Sequence, residues 1–443
     1  MTVDRTMDPG SESPVDLLGI GIGPFNLALA ALASSVPELR TAFLERQAEF
    51  RWHPGLMIEG ATIQVPFLAD LVSLVRPAHP LSFLSYLADQ DRLFPFYFAE
   101  RFHVERIEYD AYCRWASERL PACRFGHDVR AIGWSAEDQA FTVESVANGS
   151  PDRLLARNVV LGIGTEPHIP AALRDLARDP RVVHSAGYLD RRAELAGADE
   201  VVVIGSGQSG AEVVLDLLRR RPPGRERLRW FARTEAFAPM EYSKLGLEHF
   251  TPDYTEYFHN LSEPARNRLV DAQWQLHKGI SAETMADIHD ELYRRSVHCG
   301  WPDVTMAPGV EVVAARPTAG GIELDLAGHI GDGAVRADGV VLATGYTERS
   351  TDDLLAPLAD RLTRDDAGRL AVGRDYRVAL DLPGSLYVQN AERHTHGVGA
   401  PDLGLGAWRA AVILNAIAGR DVYRLPQRTA FTRFGAHTMK GPR

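Results

Sequence analysis

VVVIGSGQSGAEVV, residues 201–214, decides the fold of this chain, because it runs from an apolar strand through a GxGxxG turn into a helix. A similar stretch, LLGIGIGPFNLALA, occupies residues 17–30. In such a unit the glycines let the backbone approach a pyrophosphate, and the N–H groups at the helix start favour its charge. Two such stretches predict an α/β protein with two Rossmann-like dinucleotide-binding domains.

The first unit has the features of an FAD site. Gly21 and Gly23 hold the first two glycine positions and Asn26 the third, while Glu45 ends the second strand, TAFLE. An acidic residue at this place binds ribose hydroxyls, as FAD and NAD both require. FAD contacts are therefore predicted for Gly19, Gly21, Gly23, Pro24, Asn26 and Glu45.

The second unit has the features of an NADPH site. Its turn contains all three glycines, and Arg233 stands at the end of its second strand, LRWFAR. A cation there suits a 2′-phosphate, whereas an acid would favour NAD; the alternative is that Arg233 is an ordinary solvated arginine. NADPH contacts are predicted for Gly205, Ser206, Gly207, Gln208, Ser209, Gly210 and Arg233. One fold then holds a flavin and the other holds the nucleotide that reduces it.

The order of motifs predicts the domain boundaries. At 443 residues the chain is long enough for two or three domains of about 150 residues each. We predict a disordered N-terminal tail at 1–14, a first part of the FAD domain at 15–180 and an NADPH domain at 181–335. The second part of the FAD domain and the C-terminal tail follow at 336–443. A helical segment at 241–301, inside the NADPH domain, is expected to bind substrate.

The composition argues against several classes of protein. There are 48 basic and 59 acidic residues, a net charge of −11, which argues against nucleic-acid binding. No apolar run is long enough to span a bilayer. Cys113, Cys123 and Cys299 form no CxxC, which argues against a disulfide reductase and fits a reducing cytoplasm. His394 and His396 have no carboxylate or cysteine cluster at ligand spacing, so no metal is expected.

Several longer stretches resemble the flavin-dependent N-hydroxylating monooxygenases of siderophore biosynthesis, the family of lysine and ornithine N-monooxygenases. They are GIGPFNLALA, RWHPGLMI (51–58), IQVPFLADLVSLVRP (63–77), SFLSYL, GSGQSGAE and ATGY, and the resemblance covers 17 to about 419. It implies that NADPH reduces FAD and that O₂ adds to give a C4a-hydroperoxyflavin, whose distal oxygen passes to an unprotonated primary amine. Because the flavin carries the oxidising chemistry, no strong side-chain catalyst is expected.

The resemblance also implies residues at the flavin. Trp52, His53 and Gln64 are expected beside it, and Gln64 is the candidate for a hydrogen bond near the reactive edge. The closing segment HGVGAPDLGLGAWRAA is expected to place a helix N-terminus near the ring, with Pro401 and Leu403 as contacts.

Position 69 indicates the substrate. Relatives that hydroxylate ornithine, and some that hydroxylate lysine, resemble this chain in QxxFLKDL, whose lysine pairs with the amino acid's carboxylate; here the segment is QVPFLADL, with Ala69. Such a contact is worth roughly 1.5 to 3 kcal/mol, so its loss favours a diamine, cadaverine or putrescine. The alternative is lysine or ornithine, with Arg76 or Lys244 as the replacement cation. Lys244 is equally a candidate for contact with the NADPH phosphates.

The distal ammonium of a diamine needs carboxylates, carbonyls or aromatic faces. Substrate contacts are predicted for Ala69, Glu241, Glu248, Asp253 and Tyr254. Asp70 is interpreted as a scaffold carboxylate. The Asn-Glu and Asn-Tyr-Ser segments of the ornithine enzymes are also missing, near 247–248 and 278–281.

Other interpretations use the same two folds. A ketone-oxidising monooxygenase or an S-oxygenase would need the same cofactors, but the WHPG and FLADL segments argue against both. A non-catalytic nucleotide sensor stays open until turnover is measured. The family resemblance further implies a homo-oligomer, a dimer or a tetramer, that acts on a small-molecule amine.

Overall fold

The computed structural model describes residues 13–435, so residues 1–12 of the predicted N-terminal tail and residues 436–443 of the predicted C-terminal tail lie outside the described residues. Within that range there are eighteen strands and fourteen α-helices. The strands β1 to β18 are Leu17–Ile20, Thr41–Glu45, Cys123–Phe125, His127–Ser135, Ala140–Ala147, Ser150–Ala156, Asn158–Leu161, Thr165–Pro167, Val182–His184, Val201–Ile204, Leu228–Ala232, Val304–Pro308, Val310–Thr318, Gly321–Gly328, Gly331–Ala337, Gly339–Leu342, Tyr346–Glu348 and Ser385–Val388. The helices α1 to α14 are Pro24–Ala33, Phe83–Asp89, Leu93–Ala99, Arg106–Glu118, Tyr188–Gly197, Gln208–Arg220, Lys244–Leu247, Pro252–His259, Glu263–Ala272, Gln275–Lys278, Ala282–Cys299, Asp352–Leu355, Arg393–His396 and Gly406–Ala418.

The first glycine turn belongs to a parallel sheet of five strands in the order β18-β7-β1-β2-β3. Helices α1 and α14 pack together on one face, and all ten residues of the alanine-rich α1 are buried. The antiparallel sheet β4-β5-β6 covers the other face, where Ile132 and Phe141 join Leu18 and Val159 in one core. Both faces are covered, as a parallel sheet requires.

The second glycine turn belongs to a parallel sheet in the order β12-β11-β10-β16-β9. Helix α6 packs behind β10, and Val213, Val214 and Leu217 are buried with Trp230 in the core of this domain. With the first sheet this confirms the predicted fold class of two Rossmann-like domains.

The predicted boundary at 335/336 is wrong by one strand. Strand β16, Gly339–Leu342, pairs in parallel with β10 and β9, so the second sheet is complete only at residue 342. Strands β13 to β15 form a separate sheet and lie between β12 and β16 in the chain. The chain therefore re-enters the first domain only after β16. The two crossings between domains run side by side, where β8 pairs with β17.

The helical segment 241–301 contacts both domains. Helix α11 packs against α6 of the second domain, whereas α8 and α9 pack against α13, which follows β18 of the first. Residues Tyr254, Phe258, Leu276 and Val398 form the small core between them. The segment therefore closes one side of the cleft between the two nucleotide folds.

Candidate active site

The first glycine turn is shaped to approach a cofactor. Gly21 has a φ of +83°, and a Cβ there would lie 2.5 Å from the carbonyl oxygen of Gly162, so only glycine fits. A Cβ on Gly23 would meet nothing within 4 Å, which leaves open space in front of α1. The Ile22 N–H donates to Glu45 Oε2 at 2.9 Å, which fixes the carboxylate beside the turn, at the place expected for a ribose.

Two residues predicted as FAD contacts support the turn instead. Asn26 is buried; its amide donates to the carbonyls of Ile20 and Gly21 at 3.1 and 2.9 Å and accepts from Gln389 at 2.7 Å. Gly19 lies inside β1, where a Cβ would overlap the ring of Phe43. The Asn26 side chain is fully used, so contact through it was a wrong prediction, whereas contact of the Gly19 backbone with FAD stays a prediction.

The WHPG loop connects the two domains. The Trp52 ring makes an edge contact with Tyr109 at 5.0 Å, and the Trp52 N–H donates to Asp110 at 2.7 Å. The backbone at Gly55 comes so close to Ala186 that a Cβ would lie 1.8 Å from its carbonyl oxygen. The next residues, including Leu56, are buried in the core of the second domain. The loop is thus fixed at the boundary where a flavin and a nicotinamide would meet.

His53 follows Trp52 in a left-handed conformation, with a φ of +48°. Its ring lies 5.8 Å from that of Tyr346, on the crossing strand β17. Burial of the ring, and then the positive charge of Arg106, lower the pKa of His53 to about 4. The imidazole is therefore neutral at physiological pH, and it can offer a hydrogen bond to a cofactor without adding charge.

The side-chain amide of Gln64 indicates whether a flavin fits this site. Its amide nitrogen is buried, and within residues 13–435 it has no hydrogen-bond partner. An unpaired buried donor costs roughly 1 to 3 kcal/mol, so a bound acceptor at this position would be stabilising. Together with the open space at Gly23, the residues present fit an FAD whose polar edge reaches Gln64.

The second glycine turn is packed more tightly than the first. Gly205 has a φ of +124°, and a Cβ there would lie 2.1 Å from the carbonyl oxygen of Ala343. A Cβ on Gly210 would lie 2.4 Å from the carbonyl oxygen of Gly205, and the indole N–H of Trp230 donates to the same oxygen at 2.7 Å. Because these two glycines have no side chains, strand β10, the turn and helix α6 can pack closely together.

Gln208 was predicted as an NADPH contact, but its side chain is used within the protein. Its amide nitrogen donates to Glu212 at 2.8 Å and to Thr284 at 2.9 Å, and its oxygen accepts from the Ser281 N–H at 2.7 Å. Glu212 also forms a largely buried two-bond ion pair with Arg106 at 2.7 Å. This network joins α6 to α11 and to the first domain.

Arg233 follows β11 with an exposed side chain, as a contact with a 2′-phosphate would require. The positive charges of Arg393 and Arg233 both act on Lys278: after burial, they lower the pKa of its ammonium. Lys278, in the segment HKGIS, was not among the residues predicted as contacts. Ser206, Ser209 and the exposed Lys244 stay predicted NADPH contacts.

Ala69 lies beside a carboxylate. A Cβ placed on Gly404 would be 3.9 Å from the Ala69 Cβ and 2.7 Å from Asp402 Oδ1, so these groups surround one position. Asp402 accepts from the Gly404 N–H at 2.7 Å, and within residues 13–435 no side chain donates to it. Burial raises the pKa of Asp402 to about 6. Sequence reasoning chose its neighbours Pro401, which is exposed, and Leu403, which is half-buried.

Tyr242 faces the same carboxylate. Its hydroxyl is buried without a hydrogen-bond partner among the described residues. Burial, and then the negative charges of Asp402 and Glu283, raise the pKa of the Tyr242 hydroxyl. The neutral hydroxyl can therefore donate to a carboxylate or accept from an ammonium. The signal for Tyr242 was its position next to Glu241, the residue chosen from the sequence.

Three of the predicted substrate contacts bind protein groups instead. Glu248 accepts from the N–H groups of Phe431 and Thr432, and Asp253 accepts from Thr429 and Ala430. Both carboxylates therefore hold the C-terminal segment.

The third is Tyr254, which is occupied within the chain, whereas Glu241 is occupied only in part. The Tyr254 hydroxyl donates to Gln273 at 2.7 Å from a buried position, and the exposed Glu241 accepts from the Ser243 N–H at 2.8 Å. Contact through the Tyr254 hydroxyl was thus a wrong prediction, whereas Glu241 has accepting capacity left and stays a predicted substrate contact.

Arg76, one of the two candidate replacement cations, lies in a surface pocket away from the glycine turn. It lines a surface pocket with Ser35, Val36 and residues 420–424, beyond the C-terminal end of α1. The glycine turn lies at the other end of this ten-residue helix, about 15 Å away. Asp70, as predicted, is a scaffold carboxylate that accepts from Val72, Ser73 and Phe83.

The segment before α14 is anchored by a buried ion pair. Arg409 lies 3.2 Å from Glu392, and both side chains have no exposed surface. The Arg409 guanidinium also donates to the carbonyls of Gly399 and Ala400 at 3.2 and 2.7 Å. These bonds fix the HGVGA turn and with it the start of α14 and the carboxylate of Asp402.

Other site classes have no support among the described residues. Among the side chains that the structure describes, no group of three or more His, Cys, Asp and Glu could hold a metal, and His394 is bonded to the carbonyl of Leu370. Cys113 and Cys123 are free thiols. No helix in this range has the length and apolar character needed to cross a membrane.

Comparisons with known proteins agree with this geometry. The family model for L-lysine 6-monooxygenase/L-ornithine 5-monooxygenase matches residues 13–348. A rhizobactin siderophore biosynthesis protein of Rhizobium meliloti is 45% identical, over 95% of each chain. A putrescine N-hydroxylase of Shewanella oneidensis is 38% identical, over 98% of this chain and 85% of that protein. The FAD-bound cadaverine monooxygenase of Erwinia amylovora superposes with a TM-score of 0.91 at 36% identity, over 96% and 99% of the two chains.

The match of the family model, the two nucleotide folds and the residues around Gln64 lead to one assignment. The chain uses FAD and NADPH, with O₂ as co-substrate. It belongs to the L-lysine 6-monooxygenase/L-ornithine 5-monooxygenase family of flavin-dependent N-hydroxylating monooxygenases.

Proposed function

We propose that this enzyme hydroxylates one primary amine of an aliphatic diamine, putrescine or cadaverine, for the assembly of a hydroxamate siderophore. The observation that carries the proposal is the pairing of Ala69 with Asp402 around the turn at Gly404. Where amino-acid hydroxylases place a lysine for a substrate carboxylate, this chain places a methyl group beside a carboxylate. A second ammonium group fits that position and a carboxylate does not.

The reaction consumes one amine, one O₂, one NADPH and one proton, and gives a hydroxylamine, NADP⁺ and water. FAD, when bound, supplies the oxidising chemistry, because it accepts two electrons from NADPH and activates O₂. The protein residues bind and orient the partners: the turns at Gly23 and Gly207 receive the two nucleotides, and the buried Gln64 amide offers a donor at the flavin edge. The WHPG loop closes the boundary between the domains.

Asp402 and Tyr242 would hold the end of the diamine that does not react. A charge-assisted hydrogen bond to the carboxylate contributes roughly 1.5 to 3 kcal/mol. The Tyr242 hydroxyl, buried without a partner, would accept a second hydrogen bond from the same ammonium. The carboxylate of lysine or ornithine would instead lie next to the Asp402 carboxylate, and two adjacent negative charges repel each other. The site thus selects by charge as well as by shape.

Two relatives support this substrate class. The 38%-identical protein is named putrescine N-hydroxylase, and the 36%-identical structure is a cadaverine monooxygenase of a desferrioxamine pathway. Both are covered over most of their length. The dependence on NADPH, a reductant that cells keep inside, supports our proposal that the enzyme acts in the cytoplasm.

The test is hydroxylamine formation by purified, FAD-loaded enzyme with NADPH, at equal concentrations of putrescine, cadaverine, ornithine and lysine. NADPH oxidation without hydroxylamine is followed in parallel, so that uncoupled turnover is not counted. We expect kcat/KM for the better diamine to exceed that for both amino acids by at least tenfold. Equal or better turnover of lysine or ornithine would contradict the proposal and would point to Lys244 as the carboxylate partner.

A further inference from the structure

Three positively charged side chains from different parts of the chain meet near the second glycine turn. Arg233 directly follows strand β11 of the NADPH domain, Lys278 ends helix α10 of the helical segment, and Arg393 begins helix α13 of the first domain. Partial burial, and then the positive charges of Arg393 and Arg233, lower the pKa of the Lys278 ammonium. The three groups therefore lie close enough to repel one another.

Acidic side chains do not neutralise this cluster. Arg393 approaches Glu348 only to 4.0 Å. Asp271 acts on Lys278 in the opposite direction to the arginines, but it forms no ion pair with it. Within the described residues, neither Lys278 nor Arg233 forms an ion pair or a side-chain hydrogen bond. The chain has 59 acidic residues and a net charge of −11, so the cluster does not reflect a shortage of acids. Because like charges repel, such a cluster indicates a site for an anion.

The backbone of Lys278 lies directly over the nucleotide turn. A Cβ placed on Gly207 would be 3.5 Å from the Lys278 carbonyl oxygen. Three residues further on, the Ser281 N–H donates to the side chain of Gln208 at 2.7 Å. These contacts fix the segment against the start of α6, a helix of 13 residues whose first N–H groups suit a pyrophosphate. The Lys278 side chain therefore starts beside the phosphates of a bound nucleotide.

We propose that Lys278 and Arg393, together with Arg233, bind the 2′-phosphate of NADPH and of NADP⁺. Arg233 stands at the end of the second strand of this fold, where the 2′ position of the ribose lies. A phosphate monoester at this place carries a charge of roughly −1.5 to −2 at neutral pH, so a single cation would leave part of that charge unpaired. NADH has a neutral hydroxyl group at the same position, which cannot offset the repulsion among three cations.

The position of Arg393 adds the first domain to this site. Arg393 stands near Glu348, the last residue of the crossing strand β17, whereas Arg233 belongs to the second domain. A 2′-phosphate between the two arginines would offset their repulsion and so join the domains through the bound nucleotide. The inference depends on the use of NADPH and holds whichever amine is the substrate.

The experiment measures the dissociation constants of NADP⁺ and NAD⁺ by calorimetric titration of the oxidised, FAD-loaded full chain. Lys278→Met and Arg393→Met each remove one positive charge and keep an unbranched side chain. We expect each to lower the preference for NADP⁺ over NAD⁺ at least about tenfold, since a charge-assisted bond to the phosphate is lost. Lys278→Arg keeps the charge and should keep the preference within about threefold of the wild type. Arg361→Met is the matched control, because it removes an exposed arginine that pairs with Asp381, and it should leave the preference unchanged.

A second pair of ligands, adenosine 2′,5′-bisphosphate and AMP, differs only in the 2′-phosphate. Both methionine variants should bind the bisphosphate more weakly and AMP as the wild type does. FAD content and thermal unfolding show whether each variant folds; if Arg393→Met does not, the Lys278 variants decide, because the Lys278 side chain is exposed. An unchanged preference for NADP⁺ in Lys278→Met would overturn the proposal. So would an equal loss of affinity for NADP⁺ and NAD⁺, which would assign the cations to the pyrophosphate or to the fold.

Discussion

Two regions of this enzyme carry acidic groups near the expected substrate, and they differ in how the protein uses Glu248 and Asp253 on one side and Asp402 on the other. In the helical segment, Glu248 and Asp253 are both occupied by backbone N–H groups of residues 429–432. Beside Ala69, Asp402 accepts from backbone N–H groups of its own turn, including that of Gly404, and from no side chain of the described residues. The difference shows that a carboxylate is a candidate ligand only when its hydrogen-bonding capacity is not used by the protein.

Asparagine at position 402 should have the largest effect on amine selection. Asp402→Asn removes the negative charge and keeps the shape, so we expect kcat/KM for putrescine or cadaverine to fall roughly 10- to 150-fold. FAD content is the control, because Asp402 also accepts from Gly404 at the start of the α14 segment. An unchanged kcat/KM in FAD-loaded variant enzyme would exclude Asp402 as the ammonium partner.

A lysine at position 69 should also lower kcat/KM for the diamine, because it would neutralise the Asp402 carboxylate. In Ala69→Lys the new ammonium would pair with Asp402 and occupy the position of the distal ammonium. We expect kcat/KM for the diamine to fall at least about tenfold, while that for ornithine rises. Ala69→Met is the matched control, because it adds similar bulk without charge. Equal effects of lysine and methionine would show that volume, and not charge, decides at this position.

The pH dependence of diamine binding should show a smaller effect. Burial raises the pKa of Asp402 to about 6 in the free enzyme, and the ammonium binds the ionised form. Affinity is therefore present above pH 6 and is lost as pH falls through that value, by about tenfold between pH 7 and 5. Calorimetric titration of the oxidised, FAD-loaded enzyme measures it. In Asp402→Asn this dependence should disappear; its persistence would assign the titration to another group.

The smallest effect on the KM for the diamine is expected from a substitution in the helical segment. Asp253→Asn weakens the bonds to Thr429 and Ala430, so it should lower the free energy of unfolding by about 1 to 3 kcal/mol. Because the Asp253 carboxylate binds Thr429 and Ala430, the KM for the diamine should stay within about twofold of the wild type. A rise in KM as large as that of Asp402→Asn would remove the distinction between the two regions.

The two nucleotide folds could be predicted because their signals are local. A strand, a glycine turn and a helix are adjacent in sequence, and Gly21 and Gly205 are each required by a positive φ and a close carbonyl. The placement of β16 could not be predicted in this way, since a short apolar parallel strand has the same pattern in either sheet.

The substrate position could be predicted only in part. The segment that contains Ala69 was found, but its neighbour Asp402 comes from more than 300 residues further along the chain, in a glycine-rich turn. The predictions for Glu248 and Asp253 failed because their partners, residues 429–432, lie 176 to 184 residues further along the chain. The prediction for Asn26 was wrong for a related reason. Its side-chain amide is hydrogen-bonded both to Ile20 and to Gln389, which come together only in the folded protein. Long-range pairing of polar groups leaves no periodic signal in sequence.

The most direct test of the central claim compares putrescine with butylamine, which lacks the distal ammonium, in the wild type and in Asp402→Asn. This cycle isolates the interaction between the ammonium and the carboxylate from other effects of either change. We predict that the wild type prefers putrescine by roughly 10- to 150-fold in kcat/KM and that the variant prefers it by less than about threefold. The same preference in both enzymes would contradict the assignment of Asp402 as the group that selects a diamine.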